Sequence, residues 1–449
     1  MNVDLVVIGT GSAGHTAALK CRRRGWTVAI ADEREFGGTC TLRGCDPKKV
    51  LVAAARISDD VVRFTERGVF DRVPSLQWSQ LMRFKRTFTD PIPDERRRAY
   101  DEAGIVSLHG KARFVGETEL RVGDDRVRSR FVLIATGAKP AHVADGDAML
   151  LTSEGFLDLE TLPESLVFVG GGYIAFEFAH IAARAGAVVT LLHKDSRPLN
   201  GFDGEMVDAL VDISREIGIR IELDTTVKAV VADARGVRVD AVGGDGKRKT
   251  FTAAAGVLAA GRGPDIDDLD LDAGHVERTK RGIKVDAYLR SVSNPRVYAA
   301  GDAADGGGLP LTPVAGYEGD VVADNLLDDN AREVDFSGLV TMVYTIPSLG
   351  SVGMSEATAR QRGIACDVRS GDMTQWYSTR HVAGRKARYK VVLEKATGTI
   401  LGAAILGPHA EEQLNVLALA VRRGLPGRDV GDVLFGYPTG ASDLEYMLQ

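Results

Sequence analysis

Two cysteines, Cys40 and Cys45, lie close together along the chain, with four residues between them. A pair of this kind can alternate between a dithiol and a disulfide, and in doing so it carries two electrons. A metal site is the alternative, but such sites usually need four ligands in CxxC-type pairs, and the sequence has no second pair and no histidine cluster. The other cysteines, Cys21 and Cys366, have no cysteine neighbour and are typical of small buried hydrophobic residues. We therefore predict a redox-active pair and no metal site.

A strand, a glycine-rich turn, a helix and a second strand follow one another twice in the sequence. The two turns read Gly9-x-Gly11-x-x-Gly14 and Gly170-x-Gly172-x-x-Ala175. The glycines permit a tight turn and the close approach of a pyrophosphate, which binds at the helix N-terminus. One such motif is weak, but here each copy lies between a strand and a helix, as the binding mechanism requires. Two copies predict two bound dinucleotides.

The residues that follow the second strand differ between the two copies. The first copy ends in Asp32, about 20 residues past the glycines, where a carboxylate can accept the ribose hydroxyls. The second copy ends in His193 and Lys194, with Arg197 just beyond and no acid at the strand end. A cationic pocket formed by Lys194 and Arg197 suits a 2′-phosphate. The sequence therefore favours NADPH over NADH at the second turn.

The bulk properties place the chain among ordinary globular proteins. Its 449 residues suggest about three domains, and its contents of 44% hydrophobic and 26% charged residues are ordinary. The net charge of −6 argues against a nucleic-acid surface, which needs a basic stripe. The N-terminus enters a strand at once, without the features of an export signal, and no long apolar run is free of charges. We expect a cytoplasmic protein that does not contact membranes.

Further motifs complete a resemblance to a known family. These motifs are Ile134-Ala135-Thr136-Gly137, Tyr173-Ile174-Ala175-x-Glu177, Ala260-Gly261-Arg262 and Tyr298-Ala299-Ala300-Gly301-Asp302. Together with the cysteine pair and the two turns, they make essentially the whole chain resemble the class I pyridine nucleotide–disulfide oxidoreductases, the flavoproteins that include glutathione reductase, dihydrolipoamide dehydrogenase and mercuric reductase. The resemblance implies an α/β fold with two Rossmann-like domains and a C-terminal α/β interface domain. The implied segments are an FAD domain (1–145), an NAD(P)H domain (146–265), a return segment to the FAD domain (266–335) and the interface domain (336–449).

The resemblance also implies which residues bind the two cofactors. Those expected at FAD are Gly9, Gly11, Gly14, Asp32, Gly38, Thr39, Thr136, Gly137, Gly301 and Asp302. Those expected at the nicotinamide cofactor are Gly170, Gly172, Tyr173, Ile174, Lys194, Arg197 and Arg262. In this family a ring at the position of Tyr173 covers the flavin until the nicotinamide displaces it.

The catalytic roles are implied in the same way. Cys45 resembles the thiol that lies against the flavin, and Cys40 resembles the outer thiol that attacks the substrate. Lys48 resembles the lysine near flavin N5, paired with the carboxylate of Glu177. Because Pro47 fits a first helical turn, we expect both cysteines near a helix start, where the helix and a nearby lysine stabilise the reactive thiolate.

The C-terminal segment departs from the family pattern. Most members carry His-Pro-Thr followed by a glutamate, and this histidine comes from the partner subunit and serves as acid and base. Here Tyr437 replaces the histidine and Ser442 replaces the glutamate. Tyrosine titrates near ~10 and histidine near ~6.5, so Tyr437 can donate a proton but is a poor base at neutral pH. A tyrosine here also resembles mercuric reductases.

These features lead to one preferred function and two alternatives. We predict a homodimer, with its active site shared between subunits, that passes electrons from NADPH through FAD and the Cys40–Cys45 disulfide to a small disulfide. Glutathione is disfavoured, because the arginines that hold its carboxylates in glutathione reductases fall on Leu19 and Asp320, and the adjacent Lys20 compensates only in part. A soft metal ion or a quinone is the second candidate, with Tyr437 as ligand or proton donor. A slow FAD-containing redox sensor is the third.

Overall fold

The computed structural model describes all residues from Met1 to Gln449. Up to Pro140 the elements are β1 (Asn2–Ile8), α1 (Ser12–Arg23), β2 (Val28–Asp32), α2 (Gly38–Arg43), α3 (Cys45–Thr65), α4 (Trp78–Thr89), α5 (Ile92–Ala103), β3 (Val106–His109), β4 (Ala112–Gly116), β5 (Glu119–Val122), β6 (Asp125–Ile134) and β7 (Ala138–Pro140). Up to Leu258 they are α6 (Ser153–Leu157), β8 (Ser165–Val169), α7 (Tyr173–Arg184), β9 (Val188–Leu192), α8 (Gly204–Glu216), β10 (Arg220–Glu222), β11 (Thr225–Asp233), β12 (Gly236–Gly243), β13 (Arg248–Ala253) and β14 (Ala255–Leu258).

The remaining elements follow in two groups. Up to Leu327 they are β15 (Arg262–Pro264), β16 (Arg278–Thr279), β17 (Gly282–Lys284), β18 (Val297–Ala299), β19 (Ala304–Asp305) and α9 (Thr312–Leu327). Beyond it they are β20 (Val340–Val343), β21 (Ser348–Gly353), α10 (Glu356–Gln361), β22 (Cys366–Asp372), α11 (Tyr377–Arg380), β23 (Arg388–Glu394), β24 (Ile400–Gly407), α12 (Ala410–Arg423), α13 (Gly427–Gly431) and α14 (Leu444–Leu448). Short 3₁₀ helices span Asp147–Met149, Gly301–Ala303 and Gly440–Asp443.

The elements group into two compact units. The first contains Met1–Val50, Met82–Ala141 and Gly261–Phe336. The second contains Leu51–Leu81, His142–Ala260 and Ser337–Gln449. Most of α3 and the first residues of α4, within Leu51–Leu81, thus belong to the second unit, which the sequence did not indicate. The finer division into four segments stays a prediction.

A mixed sheet forms the centre of the first unit. Strands β3, β2, β1 and β6 are parallel, β18 pairs parallel to β6, and β5 and β4 continue the sheet antiparallel. Residues 5–8 of β1 are all buried, as in parallel strands that are covered on both faces. Helices α1 and α9 pack together on one face around Ala17, Cys21 and Val321. Cys21 is fully buried, which confirms its prediction as a small core residue.

The second unit contains three sheets. Strands β10, β9, β8 and β14 form a parallel sheet, and β11, β12 and β13 form an antiparallel one. Strands β20, β21, β24, β23 and β22 form an antiparallel sheet on which α12 packs. The second glycine-rich turn joins β8 to α7. The predicted α/β fold is confirmed, and no helix has both the length and the apolarity needed to cross a membrane.

Candidate active site

The first glycine-rich turn joins β1 to α1, and the backbone requires glycine at two of its three glycine positions. Gly9 has φ of +106°, and a Cβ added there would lie 2.2 Å from the carbonyl oxygen of Ala135. A Cβ on Gly14 would lie 2.1 Å from the carbonyl oxygen of Gly9. A Cβ on Gly11, in contrast, would meet no atom within 4 Å. Gly11 precedes the first residue of α1, so the helix N-terminus has room for a phosphate group.

Polar groups beside this turn fit a bound dinucleotide. The Oδ2 atom of Asp32 accepts hydrogen bonds from the backbone N–H and the hydroxyl of Thr10, at 2.8 and 2.6 Å. These bonds fix the carboxylate at the end of β2, where the sequence predicted a ribose contact. The hydroxyl of Thr136 is buried and has no hydrogen-bond partner within the protein. Because a buried hydroxyl is costly when unpaired, Thr136 fits the role of a cofactor ligand. These residues fit FAD.

A buried acid lies under the Gly301–Asp302 segment. The backbone N–H of Gly301 donates to Oε2 of Glu318 at 2.6 Å. Burial raises the pKa of Glu318 to about 7. Burial also raises the pKa of Asp302, although the cation of Arg262 opposes this. Sequence reasoning missed Glu318. The available signal was an acidic residue at a core-facing position of α9, between the buried Val314 and Val321.

The two cysteines lie at different places relative to their helices. Cys45 is the first residue of α3, as predicted, but Cys40 is the third residue of the separate short helix α2. Gly44 separates the two helices, and a Cβ there would lie 2.8 Å from the carbonyl oxygen of Thr39. Both cysteines therefore lie near a helix start, as predicted, but at the starts of two different helices.

The side chains of the pair nevertheless meet. Both are thiols, and Cys40 and Cys45 are hydrogen-bonded to each other. The sulfur of Cys45 also lies 3.3 Å from the hydroxyl of Thr312, the first residue of α9. The hydrogen bond with Cys45 and burial raise the pKa of Cys40, so in the dithiol state the outer sulfur holds its proton. This is opposite to the predicted stabilisation of a thiolate at Cys40.

The other predicted catalytic residues near the turns occupy defined environments. Lys48 is buried in the first part of α3. Glu177 is buried in α7, and its Oε1 atom accepts the backbone N–H of Tyr344 at 2.8 Å. Tyr173 is the first residue of α7, and 38% of its surface is exposed. The pairing of Lys48 with Glu177 and the covering role of Tyr173 stay predictions.

The second glycine-rich turn repeats the backbone of the first. Gly170 has φ of +131°, and a Cβ there would lie 2.1 Å from the carbonyl oxygen of Ala259. A Cβ on Gly172 would meet no atom within 4 Å. A Cβ on Gly171 would lie 2.5 Å from the imidazole ring of His193, the residue after β9. The turn therefore fits a second dinucleotide, with His193 packed against its middle residue.

The predicted cationic pocket is smaller than the sequence suggested. Arg197 donates two hydrogen bonds to the carboxylate of Asp208, at 3.0 and 2.8 Å. This contact raises the pKa of Arg197 and neutralises its charge locally. Lys194 is exposed. Of the two cations predicted for this pocket, Arg197 is therefore engaged by a bidentate carboxylate contact and Lys194 is not.

The tyrosine that replaces the family histidine lies in a small aromatic cluster. The side chain of Tyr437 is 75% exposed, and its ring centroid is 6.3 Å from that of Tyr377. The ring of His381 stacks on the ring of Tyr377, with 5.2 Å between the two centroids. Nδ1 of His381 lies 2.9 Å from the backbone carbonyl of Tyr377, which can only accept a hydrogen bond.

Ser442, at the position of the family glutamate, has a structural role. It forms a capping box with Thr439 at the start of a 3₁₀ helix. The acid of this segment is the next residue, Asp443, which is buried and accepts a hydrogen bond from Gln413 at 3.4 Å. Burial raises the pKa of Asp443. Sequence reasoning missed this acid, although it is adjacent to Ser442.

Asp320, one of the two positions linked to glutathione binding, and Lys20, the neighbour of the other, belong to a closed ion-pair network. Lys20 contacts Asp320 at 2.6 Å and Asp324 at 2.7 Å. Arg332 contacts the same two carboxylates, at 2.7 and 2.9 Å. Two cations are thus balanced by two anions.

Models of one known protein family match nearly the whole chain. The family described as pyridine nucleotide-disulphide oxidoreductase matches residues 3–319. The chain belongs to this family. The dimerisation domain of the same family matches residues 339–447, which indicates a homodimer. The family is FAD-dependent and takes electrons from a pyridine nucleotide, so the predicted family, flavin and enzyme class are confirmed.

Relatives with different names match the chain almost equally well. A glutathione reductase from Burkholderia cepacia is 33% identical over 98% of this chain and 97% of its own length. A mercuric reductase from Streptomyces lividans is 32% identical, over 99% and 95%. The solved structure of a Cu(II) complex of RclA, an HOCl-induced flavoprotein disulfide reductase from Escherichia coli, covers 100% of this chain and 99% of its own with a TM-score of 0.89 and 25% identity.

Proposed function

We propose that this protein is an NADPH-dependent reductase of a low-molecular-weight disulfide other than glutathione. The hydrogen-bonded thiols of Cys40 and Cys45, beside the hydroxyl of Thr312, are the observation that carries the proposal. FAD, when bound, supplies the transfer of two electrons from the nicotinamide to the cysteine pair. Gly9, Gly11 and the other predicted flavin residues would hold it.

The cysteines divide the reaction between them. Reduction breaks the Cys40–Cys45 disulfide and gives the dithiol. The sulfur of Cys40 then attacks the substrate disulfide, the substrate S–S bond breaks, and the first product leaves as a thiol with one proton. The sulfur of Cys45 next attacks the sulfur of Cys40, which reforms the disulfide and releases the second product thiol with the other proton. Two electrons and two protons thus pass to the substrate.

The charge pattern supports a substrate other than glutathione. Lys20 and Arg332 are each engaged by Asp320 and Asp324, so neither cation is free of an anion for a substrate carboxylate. Sequence identity does not favour glutathione either, since relatives named glutathione reductase and mercuric reductase are 33% and 32% identical.

NADPH is the proposed electron donor. The strand end at the second turn carries His193 followed by the exposed Lys194, with no acid at the position equivalent to Asp32. The next acid along the chain, Asp195, contacts the ring of His193 at 3.6 Å. Lys194 can contact a 2′-phosphate. Arg197 contributes less than the sequence suggested, because Asp208 engages it.

Reduction of a soft metal ion or a quinone is the second candidate. The exposed Tyr437 favours it, because a phenol can bind a metal ion or donate a proton at the place where the family histidine would act as a base. A neighbour of the same fold, RclA, has been solved as a Cu(II) complex. A slow redox sensor is the third candidate, and the intact pair of thiols weighs against it.

An anaerobic titration of the FAD-loaded protein with NADPH tests the proposal. We expect a long-wavelength absorbance band when the pair is reduced, because a Cys45 thiolate would lie against oxidised flavin. NADPH consumption is then measured with a small disulfide, a quinone and a mercuric salt in parallel. Cys40→Ser should abolish disulfide turnover and leave flavin reduction intact, while Cys366→Ser, a lone cysteine in β22, should change neither. Disulfide turnover by Cys40→Ser would refute the assigned role.

The substitution Tyr437→His tests whether a missing base limits the reaction. A histidine at this position restores an acid–base group with a pKa near ~6.5. We expect disulfide turnover to rise and to show a new inflection near this pH. An unchanged rate, with metal or quinone turnover lost, would instead place Tyr437 in the second candidate reaction.

A further inference from the structure

A carboxylate lies directly beside the outer thiol. Asp46 follows Cys45 in the first turn of α3. Its Oδ1 atom is 4.0 Å from the sulfur of Cys40, and the thiol is the donor in this contact. Asp46 is exposed, and its carboxylate is an acidic group in direct contact with the outer thiol.

Arg96 and the N-terminal end of α3 favour the ionised form of Asp46, against the effect of burial. Burial raises its pKa from the ordinary value near 3.8, and the cation of Arg96 opposes the rise. The N-terminal end of the 21-residue helix α3 favours an anion over a neutral acid. Asp46 in turn is one of the causes that raise the pKa of Cys40. The outer thiol and any substituent on its substrate therefore share their space with a negative charge.

We propose that Asp46 selects substrates by charge, so that neutral and cationic disulfides react with Cys40 faster than anionic ones. This inference rests on the proposed disulfide reductase function and names its substrate class. During attack, the substrate sulfur must come within bonding distance of the Cys40 sulfur. A charged group two carbons from that sulfur is then roughly 6 Å from the carboxylate, where one unit charge changes the rate about three- to tenfold for an effective dielectric constant between about 80 and about 40, as at an exposed site.

Three disulfides with arms of equal length test the selection. Cystamine is cationic, bis(2-hydroxyethyl) disulfide is neutral and bis(2-sulfoethyl) disulfide is anionic. Their kcat/KM values are measured at pH 7 with NADPH and the FAD-loaded protein. We expect the order cationic, neutral, anionic, with about ten- to hundredfold between the extremes. Asp46→Asn should compress this range to less than about threefold, mainly by raising the rate of the anionic disulfide.

The control variant is Asp71→Asn, which removes the same charge from an exposed residue between α3 and α4. It should leave the order and the range unchanged. Equal rates for the three disulfides in the unsubstituted protein would overturn the inference and leave the disulfide reductase function standing. An equal loss of rate for all three in Asp46→Asn would assign Asp46 to proton transfer and also overturn it.

Alkylation gives a second measurement that does not need turnover. The reduced protein is treated with neutral iodoacetamide or anionic iodoacetate, and the modification rate of Cys40 is followed by peptide mass. The ratio of the two rates, relative to a small free thiol, should be at least about threefold in favour of iodoacetamide and should fall toward one in Asp46→Asn. A ratio that Asp46→Asn leaves unchanged would overturn the inference. If the ratio falls while no disulfide is turned over, the proposed function fails but the charge effect of Asp46 on Cys40 stands.

Discussion

The two glycine-rich turns have the same backbone but different side chains at the strand end. The N–H of Gly9 donates to the carbonyl of Ala31 at 2.7 Å, and the N–H of Gly170 donates to that of Leu192 at 2.9 Å. Each of these glycines has a positive φ, and a Cβ added there would lie 2.2 Å from the carbonyl oxygen of Ala135 or 2.1 Å from that of Ala259, each the residue after a strand. The matching bonds make Asp32 and His193 equivalent, since each is the residue that follows the accepting carbonyl.

Two pairs of equivalent positions, Thr10 with Gly171 and Asp32 with His193, make the strand ends of the two turns different. In the first, Thr10 donates twice to Asp32 and holds an acceptor at the strand end. In the second, Gly171 replaces the threonine, and the ring of His193 packs over it. The repeated glycines thus serve the geometry that any dinucleotide needs, whereas the strand-end residue sets which ribose group can be recognised.

The largest expected effects distinguish the glycines that the backbone conformation requires from the glycines that leave room for a ligand. Gly9→Ala and Gly170→Ala each place a Cβ about 2 Å from a carbonyl oxygen at a positive φ, which should destabilise the protein by several kcal/mol. Gly11→Ala and Gly172→Ala add a Cβ where no protein atom lies within 4 Å. Thermal denaturation of the flavin-free proteins should show a large loss for the first pair only.

The two glycines that leave room for a ligand should each affect the binding of a different cofactor. Gly11→Ala should weaken FAD retention, measured by flavin absorbance after purification, while Gly172→Ala should keep FAD and weaken NADPH binding. If Gly11→Ala retains FAD and Gly172→Ala retains NADPH affinity, the two turns do not bind the pyrophosphates, and their glycines serve the fold alone.

The second largest expected effect comes from buried titratable groups. Their contributions to the pH dependence of the unfolding free energy have opposite signs in the two units. The first unit buries Glu318, with its pKa raised by burial to about 7. The second buries His180, whose pKa burial lowers well below the usual 6.5. Between pH 4.5 and 7 the unfolded chain ionises Glu318 while the folded chain keeps its proton. The folded state then binds more protons, so the unfolding free energy falls as pH rises through this window, by about 3 kcal/mol in total.

Glu318→Gln should remove this dependence, because an amide oxygen can still accept the N–H of Gly301. We expect the variant to be more stable than the original protein at pH 8 and equal to it near pH 4. Denaturant titrations of the FAD-loaded proteins measure the difference. His180 acts in the opposite direction, since the unfolded histidine binds a proton below pH 6.5 and the folded one does not. A stability gain of Glu318→Gln that is the same at both pH values would contradict the assigned titration.

The sequence predicts those features that depend on neighbouring residues. Both glycine-rich turns, with their flanking strand and helix, are local patterns, and they form as predicted. Partners that are distant along the chain are not visible in this way. Asp208 pairs with Arg197 only because α8 returns beside the loop after β9, which reduces the predicted cationic pocket.

The cysteine segment shows the same limit at shorter range. Spacing indicates that Cys40 and Cys45 can pair, but it does not show that Gly44 ends α2 and starts a new helix. That break places Asp46 beside Cys40 and helps raise the pKa of the thiol. Glu318 and Asp443 were missed because their importance lies in burial, which a single sequence reports poorly for acidic residues.

The smallest expected effect tests the strand-end difference itself. If Lys194 contacts the 2′-phosphate, Lys194→Ala should lower the preference for NADPH over NADH about two- to fivefold, as expected for one exposed charged contact. Arg197→Ala should have less effect, because Asp208 already engages that guanidinium. His193→Asp, which copies the strand end of the first turn, should shift the preference toward NADH. The kcat/KM ratio for the two nucleotides measures each change.

Asp208→Ala sharpens the comparison, since it releases Arg197 and should increase the NADPH preference. A larger loss from Arg197→Ala than from Lys194→Ala would mean that the ion pair opens when the nucleotide binds.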